Sequence, residues 1–182
     1  MRPFLIMAGL LSTVLRLLGA DSSPTYKTVP IYDDLRAQVL ALEAGEFGTA
    51  ADSGVIAVVM ETGYPEAVAS LVAVCDGSAS LYFSTGGGII GAGGNERPRA
   101  AALKLVAAAV SYLKEMKRSD DTPLPREGFT RFYVVTPTGR LTVEMKEEDL
   151  GEGRVSLSPL FHAAHELISE IRRVDEERQK RG

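Results

Sequence analysis

Several groups of residues in this sequence have the types and spacing for chemistry. The stretch Gly86-Gly87-Gly88-Ile89-Ile90-Gly91 matches G-x-G-x-x-G by letter, and Gly93 and Gly94 follow it before a helical pattern. Backbone amides of such a loop, with a helix N-terminus, attract anions, and Arg97 and Arg99 add positive charge. The ligand this pattern would hold is a phosphate or nucleotide, on Gly86, Gly88, Gly91, Gly93, Gly94, Arg97 and Arg99. A dinucleotide fingerprint needs its helix to begin within the glycines, inside a βαβ unit. Here the preceding strand belongs to a tight hairpin and another hairpin follows the helix. The P-loop pattern also fails, because Ala92-Gly93 stand where Lys-Ser/Thr are required. The competing reading is a bulged extension of the preceding strand, with glycine where backbones approach closely.

The two histidines, His162 and His165, are three apart on a helical pattern with Glu166 beside them. That spacing lets two side chains face one metal ion. A site would need carboxylates from elsewhere, and H-E-x-x-H is absent. No G-x-S-x-G or other activated nucleophile accompanies them. Cys75 follows Val72-Ala73-Val74 and precedes Asp76, the setting of a buried structural thiol rather than an activated one. The acidic residues Glu144, Glu147, Glu148, Asp149 and Glu152 lack calcium-loop spacing and read as a solvated hairpin edge. The basic residues Arg172, Arg173, Arg178, Lys180 and Arg181 alternate with Asp175, Glu176 and Glu177, so they make no phosphate-binding patch. Neither a metal, a cofactor nor a catalytic residue is expected.

These residues must be positioned by a recognisable series of elements. Ile31–Leu42 has helical spacing, with Asp33 and Asp34 in the first turn where the dipole favours them. Strands follow at 55–60, 67–75 and 79–84, the last two joined by an Asp76-Gly77 turn. A long helix spans about 96–118, with Asn95 as N-cap and Leu103, Val106, Val110 and Leu113 as its apolar stripe. Strands at 131–136 and 140–146 flank Pro137-Thr138-Gly139, and a final helix opens at Ser158-Pro159. Its apolar face is Leu160, Phe161, Ala164, Leu167, Ile168, Ile171 and Val174. The expected fold is α+β: an antiparallel five-stranded sheet with helices, ordered α-βββ-α-ββ-α. The expected domain covers 31–174, with a linker at 21–30 and a charged, fraying tail at 175–182.

Strand 140–146 alternates Leu141, Val143 and Met145 against polar neighbours, as a half-buried strand does. Strands 55–60 and 67–75 are apolar on both faces, so something must cover the second face. The options are the N-terminal segment, a second copy of the chain or a partner protein. The expected contact residues are Ile56, Val58, Leu71 and Ala73.

Residues 1–20, MRPFLIMAGLLSTVLRLLGA, bear on the same question. As an amphipathic helix they align Phe4, Ala8, Leu11, Leu15 and Leu18 in one stripe opposite Gly9, Ser12, Thr13 and Arg16. Phe4, Leu11, Leu15 and Leu18 would then contact the body of the protein, a partner or a membrane surface. As a signal peptide the segment suffers from Arg16 and a poor cleavage site at Leu18-Gly19-Ala20. As a membrane span its uncharged run, Pro3–Leu15, is short for a hydrocarbon core of about 30 Å. The compartment follows from which reading holds: cytoplasmic with an option of membrane association, or exported.

The whole chain has 182 residues, 45% apolar and 24% charged, which excludes a mostly disordered chain and a multi-span membrane protein. A chain of this size buries roughly 70% of its unfolded surface and needs no staple. One cysteine excludes an intrachain disulfide, and a net charge of −4 argues against nucleic acid as partner.

In element order, size and charge, residues 31–174 resemble the type III secretion chaperone fold and the related sensory-transduction-regulator family. The resemblance implies a dimer that binds segments of other proteins on its sheet and helix surface and catalyses nothing. The segments GYPEAVASLVAV, LYFSTGGGIIGAGG and LSPLFHAAHELI are similar to those of uncharacterised bacterial proteins. Longin and Roadblock domains place two strands before the middle helix and three after, the reverse of this order. The expected function is a non-enzymatic protein-binding or adaptor module acting on a protein partner or as a homodimer. The alternatives are a phosphate or nucleotide binder using Gly86–Gly94, and a structural subunit of a membrane complex held by residues 1–20.

Overall fold

Val29 donates its amide to the Ser84 carbonyl at 2.9 Å, tying the chain to the sheet just before Pro30 opens the first helix. The computed structural model describes residues 26–180, so the stripe of Phe4, Leu11, Leu15 and Leu18 lies outside the described residues. The helices are α1 (Pro30–Leu40), α2 (Glu96–Ala109), α3 (Glu147–Gly151) and α4 (Ser158–Gln179). The strands are β1 (Ala57–Gly63), β2 (Val68–Val74), β3 (Ala79–Phe83), β4 (Gly88–Ile89), β5 (Lys117–Arg118), β6 (Phe129–Thr136) and β7 (Gly139–Lys146).

The fold is α+β with one antiparallel sheet, ordered β4-β3-β2-β1-β6-β7-β5. It has seven strands, not five. The two additions, β4 and β5, are two residues long and sit at the edges. Elements this short leave no periodic signal in a sequence. β4 is the return of the glycine-rich stretch onto β3, with Leu81 opposite Ile89 and Tyr82 opposite Gly88. β5 is the end of the expected long helix. That helix is α-helical only to Ala109, tightens to a 3-10 turn over Val110–Glu115, and then pairs with β7 through Lys117 and Arg118.

β1 runs three residues past its expected end at Met60, through Glu61 and Thr62 to Gly63. A carboxylate normally closes an apolar run, yet Glu61 is fully buried in the strand. Successive strand residues point to opposite faces. Met60, Leu71 and Leu81 lie on the face covered by α4, and Glu61 and Ser70 lie on the face covered by α1. The chain therefore covers both faces of β1 and β2 itself, as the central position of these strands demands.

α2 also turns a different face inward than its bulky residues suggest. Ala101, Ala102, Leu105, Val106 and Ala109 are buried, while Leu103 is 40% exposed and Val110 41% exposed. Three alanines with Leu105 and Val106 make the inner face, where the small side chains let α2 lie close against α4, and two large ones, Leu103 and Val110, remain outside. α4 buries Leu160, Phe161, Ala164, Leu167 and Ile171 much as expected, but it continues in helix through the charged residues to Gln179 rather than fraying from 175. The acidic segment after β7 forms α3, with Glu147, Glu148 and Asp149 in its first turn where the helix dipole favours them.

Candidate functional site

The glycine-rich stretch is a hairpin turn and a close backbone contact. The amide of Gly86 donates to Phe83 O at 2.9 Å, that of Gly91 to Ser80 Oγ at 3.2 Å, and that of Gly94 to Gly91 O at 3.1 Å. Three amides that an anion cradle would use are thus already engaged. Gly88 sits in β4, where a Cβ would lie 2.6 Å from Tyr82 Cα. Gly93 backs onto the Gly77 carbonyl, so a side chain has no room there. The stem of Arg99 covers Gly77, while Arg97 is exposed. The seven residues are neighbours along one edge rather than a shared cradle.

The expected contact residues are a correction. Ile56, Val58 and Ala73 are fully buried and Leu71 nearly so. Helices of the same chain pack over them, so they form core rather than a docking face. Cys75 is buried, and burial followed by the nearby Asp76 charge pushes its thiol up in pKa. No three His, Cys, Asp or Glu side chains gather at metal-binding distance among the described residues. No helix among the described residues is long and apolar enough to cross a membrane.

A buried polar cluster that the sequence does not advertise joins α1 to the sheet. Arg36 of α1 donates from Nε to Glu61 Oε1 at 2.7 Å and from NH2 to Glu61 Oε2 at 2.9 Å. Ser70 Oγ adds a bond to Oε1 at 3.2 Å, and the Tyr32 hydroxyl lies 3.0 Å from Ser70 Oγ. Burial, and then the Glu61 charge, raise the pKa values of Tyr32 and Tyr82 and push Tyr133 up to about 12. Burial works against the Arg36 charge, but the bonds to Glu61 outweigh it and hold the guanidinium above its ordinary value. A second cluster forms on the same face of β6 and β7. There Glu144 accepts from Arg126 Nε at 2.9 Å and from Arg131 at 3.0 Å. The first cluster pairs opposite charges in the interior and the second at its edge, where the Arg126 side chain is 40% exposed, and Glu61 has no exposure through which a substrate could reach it. Their role is to lock α1, β1, β6 and β7 together.

Two features of the described residues bear most directly on what the protein could bind. The first is a cavity of about 300 Å³ between α4 and β1, β2 and β3. Met60, Ala69, Leu71, Leu81, Phe83 and Ile168 give it apolar walls, and Thr62, Tyr64, His165 and Arg172 are its polar members. His165 Nε2 is buried without a hydrogen-bond partner among the described residues. Burial, then the charges of His162 and Arg172, lower the His165 pKa. Its ring packs on Phe161 at 4.3 Å between centroids, while His162 turns away to within 3.3 Å of the Leu150 carbonyl. The two histidines are therefore not a metal pair.

The second is the outer face of α2. Glu96, Ala100, Leu103 and Ala107 are all exposed, as are Val110 and Lys114 in the 3-10 turn that follows. Their steps alternate between four and three residues, the spacing of a coiled-coil seam. The seam is hidden in the sequence because Leu103 and Val110 fit the apolar stripe of a core-facing helix equally well. The exposed status of Ala100 and Ala107 is decided only by how α2 rolls against α4.

Comparison with protein-family models, curated proteins and solved structures finds no match to this chain.

Proposed function

We propose that this protein is a non-enzymatic protein-binding module, with the outer face of α2 as its contact surface and a second copy of the chain as the occupant of that surface. The observation carrying this reading is the exposed seam of Ala100, Leu103, Ala107 and Val110 on a helix whose other side is core. Large exposed apolar side chains at regular helical spacing are characteristic of interaction surfaces.

The seam is self-complementary. When two copies of α2 run antiparallel about a two-fold axis, Leu103 of each faces Ala107 of the other, and Val110 faces Ala100. Large then meets small at every step, as interdigitating helices require. Glu96 at one end meets Lys114 at the other, so the charged ends are of opposite sign. An α-helix of 14 residues is about 21 Å long, and a contact of this length falls among the smaller interfaces, those of weak and reversible association. The resemblance in element order to dimeric secretion chaperones favours the same reading. The phosphate-binding alternative is weakened by the engaged amides of Gly86, Gly91 and Gly94.

Sedimentation velocity on the full chain tests this. The expected result is a concentration-dependent dimer that Leu103→Glu abolishes while the thermal unfolding midpoint stays close to that of the parent. Glu96→Lys weakens the dimer, and Glu96→Lys combined with Lys114→Glu restores it. A monomer at all concentrations, or a dimer indifferent to Leu103→Glu, overturns the proposal.

A further inference from the structure

The cavity under α4 is a separate matter from the α2 seam, which lies on the outside of the helical layer. Its walls are aliphatic and aromatic, and its volume of about 300 Å³ lies at the small end of the range for small-molecule sites. Two cavity-lining groups have polar capacity unused by the protein. His165 Nε2 is buried and without a partner among the described residues. A buried ring nitrogen left unpaired costs free energy that a ligand's polar group would recover. Arg172, two helical turns further along α4 and itself exposed, also lines the cavity, and no hydrogen bond or ion pair to another described residue engages it. The nearest hydroxyls do not compete for these two groups. Thr62 Oγ1 pairs with Thr130 Oγ1 at 2.9 Å, and Tyr64 reaches towards Glu147 at 3.5 Å.

We infer that this cavity binds a small amphipathic monocarboxylate, with its alkyl part between Met60, Leu71, Leu81, Phe83 and Ile168 and its carboxylate at Arg172 and His165. The charge pattern selects the class. An unpaired guanidinium favours an anion and disfavours an ammonium head group, and a carboxylate accepts two hydrogen bonds from a guanidinium in one plane. The neutral imidazole left by a lowered pKa donates from Nε2 in one of its tautomers, which adds a second donor on the same carboxylate. The apolar walls set a requirement for an alkyl or aryl body that inorganic phosphate or acetate does not meet.

The probe is decanoate, with 1-decanol as its neutral counterpart, titrated into the full chain by calorimetry and followed by NMR at the His165 ring. The expected result is saturable binding of decanoate with a shift of the His165 resonance, and binding of decanol at least about tenfold weaker. Arg172→Gln, a change on an exposed position, removes that preference and leaves decanol affinity unchanged. Ala69→Leu, which fills the cavity from β2, weakens both ligands together with little change in the circular dichroism spectrum. Equal binding of decanoate and decanol to the parent overturns the assignment of the carboxylate. No saturable binding of either, or decanoate binding that survives Ala69→Leu without moving the His165 resonance, overturns the site.

Discussion

Arg36 and Glu61, 25 residues apart in sequence, form a two-bond ion pair at 2.7 and 2.9 Å in which the carboxylate is wholly buried. The pair fastens α1 to the central strand β1. Breaking such a pair from one side leaves an uncompensated charge in the interior. Arg36→Met should therefore destabilise the fold by about 3–5 kcal/mol in urea titrations. The double change Arg36→Met with Glu61→Leu should recover much of that loss, because the stranded carboxylate is gone. A double variant no more stable than the single one would show that Tyr32 and Ser70 depend on Glu61 as strongly as Arg36 does.

Two adjacent glycines separate a packing role from a ligand role in the loop before α2. Gly93 abuts the Gly77 carbonyl, and Gly94 has open space around the position of a Cβ. Gly93→Ala should cost about 1–3 kcal/mol by forcing the backbones apart. Gly94→Ala should stay within about 0.5 kcal/mol of the parent. Chemical denaturation of the two variants measures both. Equal effects would mean that the contact with Gly77 is not what glycine serves there.

His165 gives stability a dependence on pH with a definite sign. Burial holds its folded pKa below the ordinary 6.5, so the unfolded chain takes up the proton more readily. As pH falls below 6.5 the unfolded state gains protons that the folded state does not, and stability declines. The groups acting on it are His162 on the same helix and Arg172 two turns on, both of which disfavour the charged ring. His165→Gln should reduce the loss of stability between about pH 7.5 and about pH 5.5. An unchanged slope would place the pH dependence elsewhere.

Cys75 should be inert in the folded protein. Its side chain is buried, and burial plus the Asp76 charge hold the thiol in its protonated form. A thiol reagent at neutral pH should modify Cys75 only after denaturant is added, at a rate set by unfolding. Fast modification of the native chain would contradict the packing around β2.

What the sequence determines by itself here is local. The apolar runs, the Asp76-Gly77 turn, the Gly139 turn and the Pro159 helix start each depend on a few neighbouring residues. They were enough for the α+β class, the antiparallel pairing and the order of the five longer strands along the chain. The coverage of β1 and β2 was a question the sequence posed correctly and could not answer, since two apolar faces call for cover without naming its source. The tertiary structure supplies it from α1, α2 and α4, which turns Ile56, Val58, Leu71 and Ala73 from contacts into core. Glu61 reads as the end of a strand because its partner Arg36 is remote in the chain, and only folding brings a guanidinium to neutralise it. The roll of α2 is likewise non-local. Alanines and large residues both satisfy a helical stripe, and the closer packing on α4 that alanine permits is what leaves Leu103 and Val110 outside. The cavity beside His165 has no sequence signature, because its walls come from three strands and a helix that meet only in the finished layer.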